Sequence, residues 1–109
     1  MPTYIVLGHF TDQGIRAVRD SLKREDTFRK QCEKVGVQVK DVYRTMGRYD
    51  LVATIEAPDD VTVTSLLYSV AALGNIRTET LRAFSRRGGL READVVPDAL
   101  THCVAAPAP

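Results

Sequence analysis

The chain has too few cysteines for a disulfide framework: there are only two, Cys32 in a helical pattern and Cys103 near the end. It also lacks an excess of charge of either sign. Fifteen basic residues against fourteen acidic ones leave a net charge of +1, a poor electrostatic footprint for DNA or RNA, and no nucleic-acid partner is expected. The nearest approach to a basic patch, Arg82, Arg86 and Arg87, reads as a solvated strand end. No apolar run approaches the ~20 residues of a membrane span, and Met1-Pro2-Thr3 leads straight into a strand pattern. The expectation is therefore a chain without signal peptide or membrane partner, placed by default in the cytoplasm.

Chemical signatures are equally sparse. His9, His102, Cys32 and Cys103 are the soft metal donors, and no pair has ligand spacing, so no metal is expected. Gly8 and Gly88-Gly89 are isolated glycines rather than nucleotide loops, and Ser65, Ser69 and Ser85 have no evident base partner. No cofactor is expected.

What is present is punctuation. Thr3–Phe10 reads as a strand with apolar residues in both alternation phases. Thr11 or Asp12 can cap a helix. Ile15, Val18, Leu22, Phe28, Cys32 and Val35 then recur at helical spacing, with a bend at Asp20-Ser21 and a stop at Gly36. Val37–Met46 reads as a strand with Val37 and Val39 on one face and Val42 on the other, and Leu51–Ala57 as the next strand. Pro58-Asp59-Asp60 opens a second helix with a stripe of Val63, Leu66, Leu67, Val70 and Leu73, which Gly74-Asn75 stops. Ile76–Phe84 is the last strand, β-branched and alternating.

The order βαββαβ predicts an α+β ferredoxin-like domain, a four-stranded antiparallel sheet with helices on one face, over residues 1–87. From Gly88 the chain changes character. A tail over residues 88–109 is expected, with a short helix near Leu90–Asp94 and a disordered end, or with Val95, Val96 and Leu100 packed on a neighbouring subunit.

Between the middle strands lies Gly47-Arg48-Tyr49-Asp50. Together with Thr11-Asp12-Gln13-Gly14-Ile15 and Asn75-Ile76-Arg77-Thr78-Glu79-Thr80, this hairpin resembles the small bacterial GYD-domain family, over about residues 2–84. The resemblance implies kinship with dimeric α/β-barrel proteins, which pair ferredoxin-like sheets back to back, but no established activity. The chain departs from the family at Leu22, where proline is frequent. The hairpin also resembles one near the effector site of leucine-responsive transcription regulators, but no helix-turn-helix segment accompanies it here.

Ile5 and Leu7 oppose Tyr4, Val6 and Phe10 in β alternation, and Val52 opposes Leu51, Ala53 and Ile55. Both sheet faces are therefore apolar, and a second copy of the chain, in a homodimer or higher oligomer, is the simplest cover. Four residues are candidates for holding a small-molecule ligand. His9, at the end of the first strand, offers an imidazole that can act as a base or ligand donor at the sheet edge. Tyr49 and Asp50 project a hydroxyl and a carboxylate at the hairpin, unless Asp50 caps the turn amides and Tyr49 packs across them. Arg82, sharing a face with Thr78 and Thr80, suits a carboxylate, while Arg77 and Glu79 share the other face. The expected function is binding of a small metabolite in a sheet–helix or inter-subunit pocket. The alternatives are a cofactor-independent monooxygenase, isomerase or lyase, with His9 as base and Tyr49 or Arg82 as electrophilic partner, and a protein-interaction module contacting through Val95–Leu100.

Overall fold

A computed structural model describes residues 1–86. The residues beyond, with the expectations for the tail and the end of the domain at residue 87, lie outside the described part. The chain runs β1 (Thr3–Phe10), α1 (Asp12–Arg16), a 3-10 turn (Val18–Asp20), α2 (Ser21–Lys34), β2 (Gln38–Arg44), β3 (Leu51–Glu56), α3 (Asp60–Ala72) and β4 (Ile76–Ala83). The sheet order is β2-β3-β1-β4, every neighbour antiparallel, as the ferredoxin-like reading requires.

Local chemistry sets each boundary. Thr11 caps α1, its hydroxyl accepting from the Gly14 amide at 3.0 Å. Asp59 caps α3 by accepting from the Thr62 amide at 2.8 Å, and these hydrogen bonds hold its carboxyl below the usual range. Gly36, at φ +76°, takes the left-handed conformation that stops α2, and Gly74, at φ +84°, does the same after α3.

The core lies between the helices and one sheet face. Tyr4 and Val6 of β1, Ala53 and Ile55 of β3, Cys32 of α2, and Val63, Leu66 and Leu67 of α3 are buried together, with Val37 and Ala57 at the strand ends. Burial pushes the Cys32 thiol up to about 11, so it is neutral and a poor nucleophile near pH 7.

Three sequence expectations are corrected. Val39 and Val42 share the helix-facing side, opposite Ile55 and Ala53, because the register shifts between Val39 and Asp41. Lys40 is the extra residue of a bulge, and one extra residue inverts the alternation that follows. β2 ends at Arg44 rather than Met46, giving a longer loop closed by the Thr45 amide on the Asp50 carbonyl at 2.9 Å. Of the first helical stripe, Cys32 is buried and Phe28 packs against the core, but Ile15, Val18, Leu22 and Val35 are exposed. The 3-10 turn resets the helical phase between α1 and α2, so a stripe drawn across it does not stay on one face.

The opposite sheet face carries Ile5 and Leu7, with Val52 across from Leu7 on β3 and Leu81 across from Ile5 on β4. Leu81 is 50% exposed and Tyr43, on the same face, 59%.

The packing of α1 turns on Gly14. A Cβ there would lie 1.9 Å from the Asn75 carbonyl oxygen, a backbone atom that cannot yield cheaply. Helix propensity alone would make Gly14→Ala stabilising by about 1 kcal/mol. The clash dominates, so Gly14→Ala is expected to destabilise the chain by about 2 kcal/mol or more in urea unfolding.

Candidate functional site

Three separate segments meet at one end of the sheet, where β1 stops. The Asp50 amide donates to the Gly8 carbonyl at 2.8 Å, and the Asp50 carboxylate accepts from the Phe10 amide at 2.8 Å. From the other side, the Thr11 amide donates to the Asn75 carbonyl at 3.1 Å, and the Thr11 hydroxyl donates to the Gly74 carbonyl. Gln13 Nε2 donates to the Leu73 carbonyl and to Asn75 Oδ1, both at 3.0 Å. The hairpin, the α1 cap and the α3–β4 turn are thus tied to the last residues of β1.

Asp50 therefore serves β1, not the amides of its own turn; one function expected of it in the hairpin is corrected. The turn is closed instead by Thr45, whose hydroxyl donates to the Tyr49 carbonyl at 2.6 Å. Tyr49 leaves the turn for the open sheet face. Its ring lies 4.7 Å from that of His9, tilted by 38°, and its hydroxyl donates to Glu79 at 3.1 Å. Arg48 stands 5.6 Å from the Tyr49 ring centre, and Arg77 is the β4 residue opposite His9.

Arg82 is elsewhere. It faces the helices at the far end of the sheet, opposite Tyr4. Its guanidinium meets Asp60 at 3.3 Å, and the same carboxylate accepts from the Tyr4 hydroxyl. Arg82 also lies 5.5 Å from the Tyr4 ring centre and 5.2 Å from that of Phe84. Burial, then the bond to Asp60, raises the Tyr4 phenol above its ordinary value. The structure thus brings His9 and Tyr49 together with Glu79, turns the Asp50 carboxylate to the β1 backbone, and sets Arg82 on the other face. Tyr4 and His9 are five residues apart, roughly 17 Å along a strand. Within one chain, His9 and Arg82 do not flank a common small substrate.

A pocket does lie between the sheet and the helices, but none of the four candidate residues, His9, Tyr49, Asp50 and Arg82, lines it. A cavity of about 390 Å³ is bounded by Val6, Gly8, Leu51 and Ala53 of the central strands, Phe28 of α2, and Leu67 and Val70 of α3. The signal was the small residue Ala53 on the helix-facing side of β3, which leaves the floor low there, whereas the room above Gly8 is taken by the Ile76 side chain. The cavity's polar lining residues Asp20, Lys23, Arg24, Glu25, Gln31 and Asn75 are exposed or half-buried and form its mouth. Glu25 is bound by Arg44 at 2.6 Å and Arg29 at 3.2 Å, and these partners, Arg44 foremost, hold its carboxyl below the usual range. A second depression, about 430 Å³, runs between α3 and β4 past Tyr68, Thr80 and the Arg82–Asp60 pair. Among the described residues no group of His, Cys, Asp and Glu is placed to hold a metal, and no helix is long and apolar enough to cross a membrane.

An antiparallel βαββαβ sheet, helices on one side, with its turn motifs gathered at the end of β1, defines a small α+β domain of the ferredoxin-like class. The chain belongs to the GYD-domain family, whose model matches residues 4–88. It is 36% identical over 84 residues to a Thermus thermophilus protein called "Glutamine synthetase and cystathionine beta-lyase binding protein", the match covering 76% of this chain and 88% of that one. Among solved structures, the chain described as "crystal structure of FFRP-DM1" superposes with a TM-score of 0.52 at 21% identity, over 77% of this chain and 100% of the other, a likeness of fold.

The geometry separates Asp50 from Tyr49 energetically. Asp50→Ala leaves the Phe10 amide without its partner and is expected to cost about 1–3 kcal/mol. Tyr49→Phe removes an exposed bond to Glu79 and is expected to cost less than about 1 kcal/mol. Urea unfolding of the two variants measures the difference.

Proposed function

We propose that this chain is a non-catalytic, homo-oligomeric binding domain that holds a small molecule between its sheet and its helices. The cavity is the observation that carries this reading: about 390 Å³ lies in the usual range of small-molecule sites, its walls are apolar, and its polar groups gather at the mouth. Residues 1–87 form the binding domain in this reading, residues 88–109 are an appended tail, and the protein works in the cytoplasm. Asp50 shapes the site indirectly, by fixing the end of β1 from which Phe10 reaches the cavity. The His9–Tyr49 pair lies on the open sheet face, where a second copy would sit.

Self-association is favoured by that face. Ile5, Leu7, Val52 and Leu81 form a contiguous apolar strip, and each aliphatic side chain fully buried there contributes roughly 1.5–3 kcal/mol. Two-fold pairing of identical faces is the commonest way to cover such a strip. The name of the Thermus relative favours a second reading, in which the assembled domain docks on a metabolic enzyme.

Two measurements test the proposal. In analytical ultracentrifugation at micromolar concentration, the chain is expected to sediment as a dimer or larger species and the Leu7→Asp variant as a monomer; a monomeric parent chain contradicts the assembly. In amide NMR spectra, small aromatic fragments are expected to shift Phe28, Ala53 and Leu67. Shifts confined to the open sheet face, or none, contradict the cavity reading. Co-elution of the chain with its host's glutamine synthetase or cystathionine β-lyase would support the second reading, and absence of both complexes would count against it.

A further inference from the structure

The cavity has an apolar body and a single oriented cation at its mouth. Arg24 lines the mouth from the first turn of α2. Its guanidinium lies 6.0 Å from the centre of the Phe10 ring. Nη1 donates to the Ala17 carbonyl at 2.9 Å and Nη2 to the Gly14 carbonyl at 3.4 Å. Both acceptors are neutral backbone oxygens at α1, the helix that the end of β1 holds in place. They fix the plane of the guanidinium without neutralising it, and a guanidinium has five N–H donors, so three remain. Among the described residues no carboxylate pairs with Arg24. Glu25, the nearest acid in sequence, is already committed to Arg29 and Arg44. Lys23 and Asp20, of opposite charge, also line the cavity.

A planar, oriented, unneutralised guanidinium is suited to a carboxylate, which it can bind with two parallel hydrogen bonds. The space behind it sets the rest of the molecule. A cavity of roughly 150 Å³ admits benzene, so about 390 Å³ admits on the order of a dozen to fifteen non-hydrogen atoms. We propose that the cavity takes a small amphipathic monocarboxylate, its aryl or alkyl body between the sheet and α3 and its carboxylate on Arg24. This assignment rests on the reading of the cavity as a small-molecule site and gives that site its ligand class.

The test is calorimetric titration of the full chain with 4-phenylbutyrate, the matching neutral 4-phenylbutanol and the cationic 4-phenylbutylamine. The carboxylate is expected to bind at least tenfold more tightly than the alcohol, and the amine more weakly than either. Arg24→Gln is expected to bring acid and alcohol within about twofold of each other, chiefly by weakening the acid. Leu67→Trp, which fills the cavity, is expected to abolish binding of all three. The ratio in the parent chain decides the matter even if a variant fails to fold. Equal binding of acid and alcohol, or tightest binding of the amine, overturns the carboxylate assignment and leaves the cavity reading standing. Binding of none of the three by the folded chain overturns both.

Discussion

The structure depends on how the backbone of β1 is satisfied where the strand ends. A strand that stops inside a domain leaves amide and carbonyl groups that must find partners, and an unpaired buried one costs as much as a lost hydrogen bond. Here the Gly8 carbonyl and the Phe10 amide are taken by Asp50, and the Thr11 amide by the Asn75 carbonyl. One side chain and two backbone turns, from segments about forty and sixty residues away in sequence, thereby converge on Gly8, Phe10 and Thr11. Gly14 must be glycine for the α1 turn to reach that junction. Family motifs that look like independent turns in the sequence are parts of one joint.

That joint also explains why a cavity persists. With α1 held against the α3–β4 turn, α2 starts from a fixed point after the 3-10 turn, and the cavity is bounded by its Phe28, by Leu67 and Val70 of α3 and by the sheet below. The buried side chains concentrate nearer the other end, around Tyr4, Ile55, Cys32 and Val63. The same joint presents the Gly14 and Ala17 carbonyls that orient Arg24. Packing that stabilises the fold and geometry that leaves the cavity and orients Arg24 are consequences of one set of backbone contacts.

Elements were legible in the sequence wherever a boundary was set by its immediate neighbours. The Gly36 and Gly74 stops act within a turn, so a local reading finds them; the first cap was narrowed to Thr11 or Asp12, and Asp59 was expected only as an acid at the start of α3, where it is the cap. The bulge at Lys40 was not legible, because an extra residue shows only against the register of β3. The phase reset at Val18–Asp20 was visible as a bend, but not its result, the exposure of Ile15 and Leu22. His9, Tyr49, Asp50 and Arg82 were singled out by residue type. The faces of His9 and Arg82 within their own strands follow from alternation, whereas Tyr49 and Asp50 lie in the loop before β3, and Asp50's partner in β1 and the Tyr49–Glu79 bond are long-range contacts that alternation does not encode. Arg24 gave no signal, since one arginine on a highly charged helix looks like any other until its carbonyl partners and the cavity beside it are known.

The central claim is that the space between sheet and helices is occupied by a small molecule when the protein is at work. Native mass spectrometry of the protein purified gently from its own host tests this most directly. The expected species is an assembly of identical chains carrying a dissociable adduct of low mass, lost on mild activation and released as an organic acid. A homogeneous assembly with no adduct, which also fails to take one up when returned to a small-molecule extract of the same cells, would contradict it.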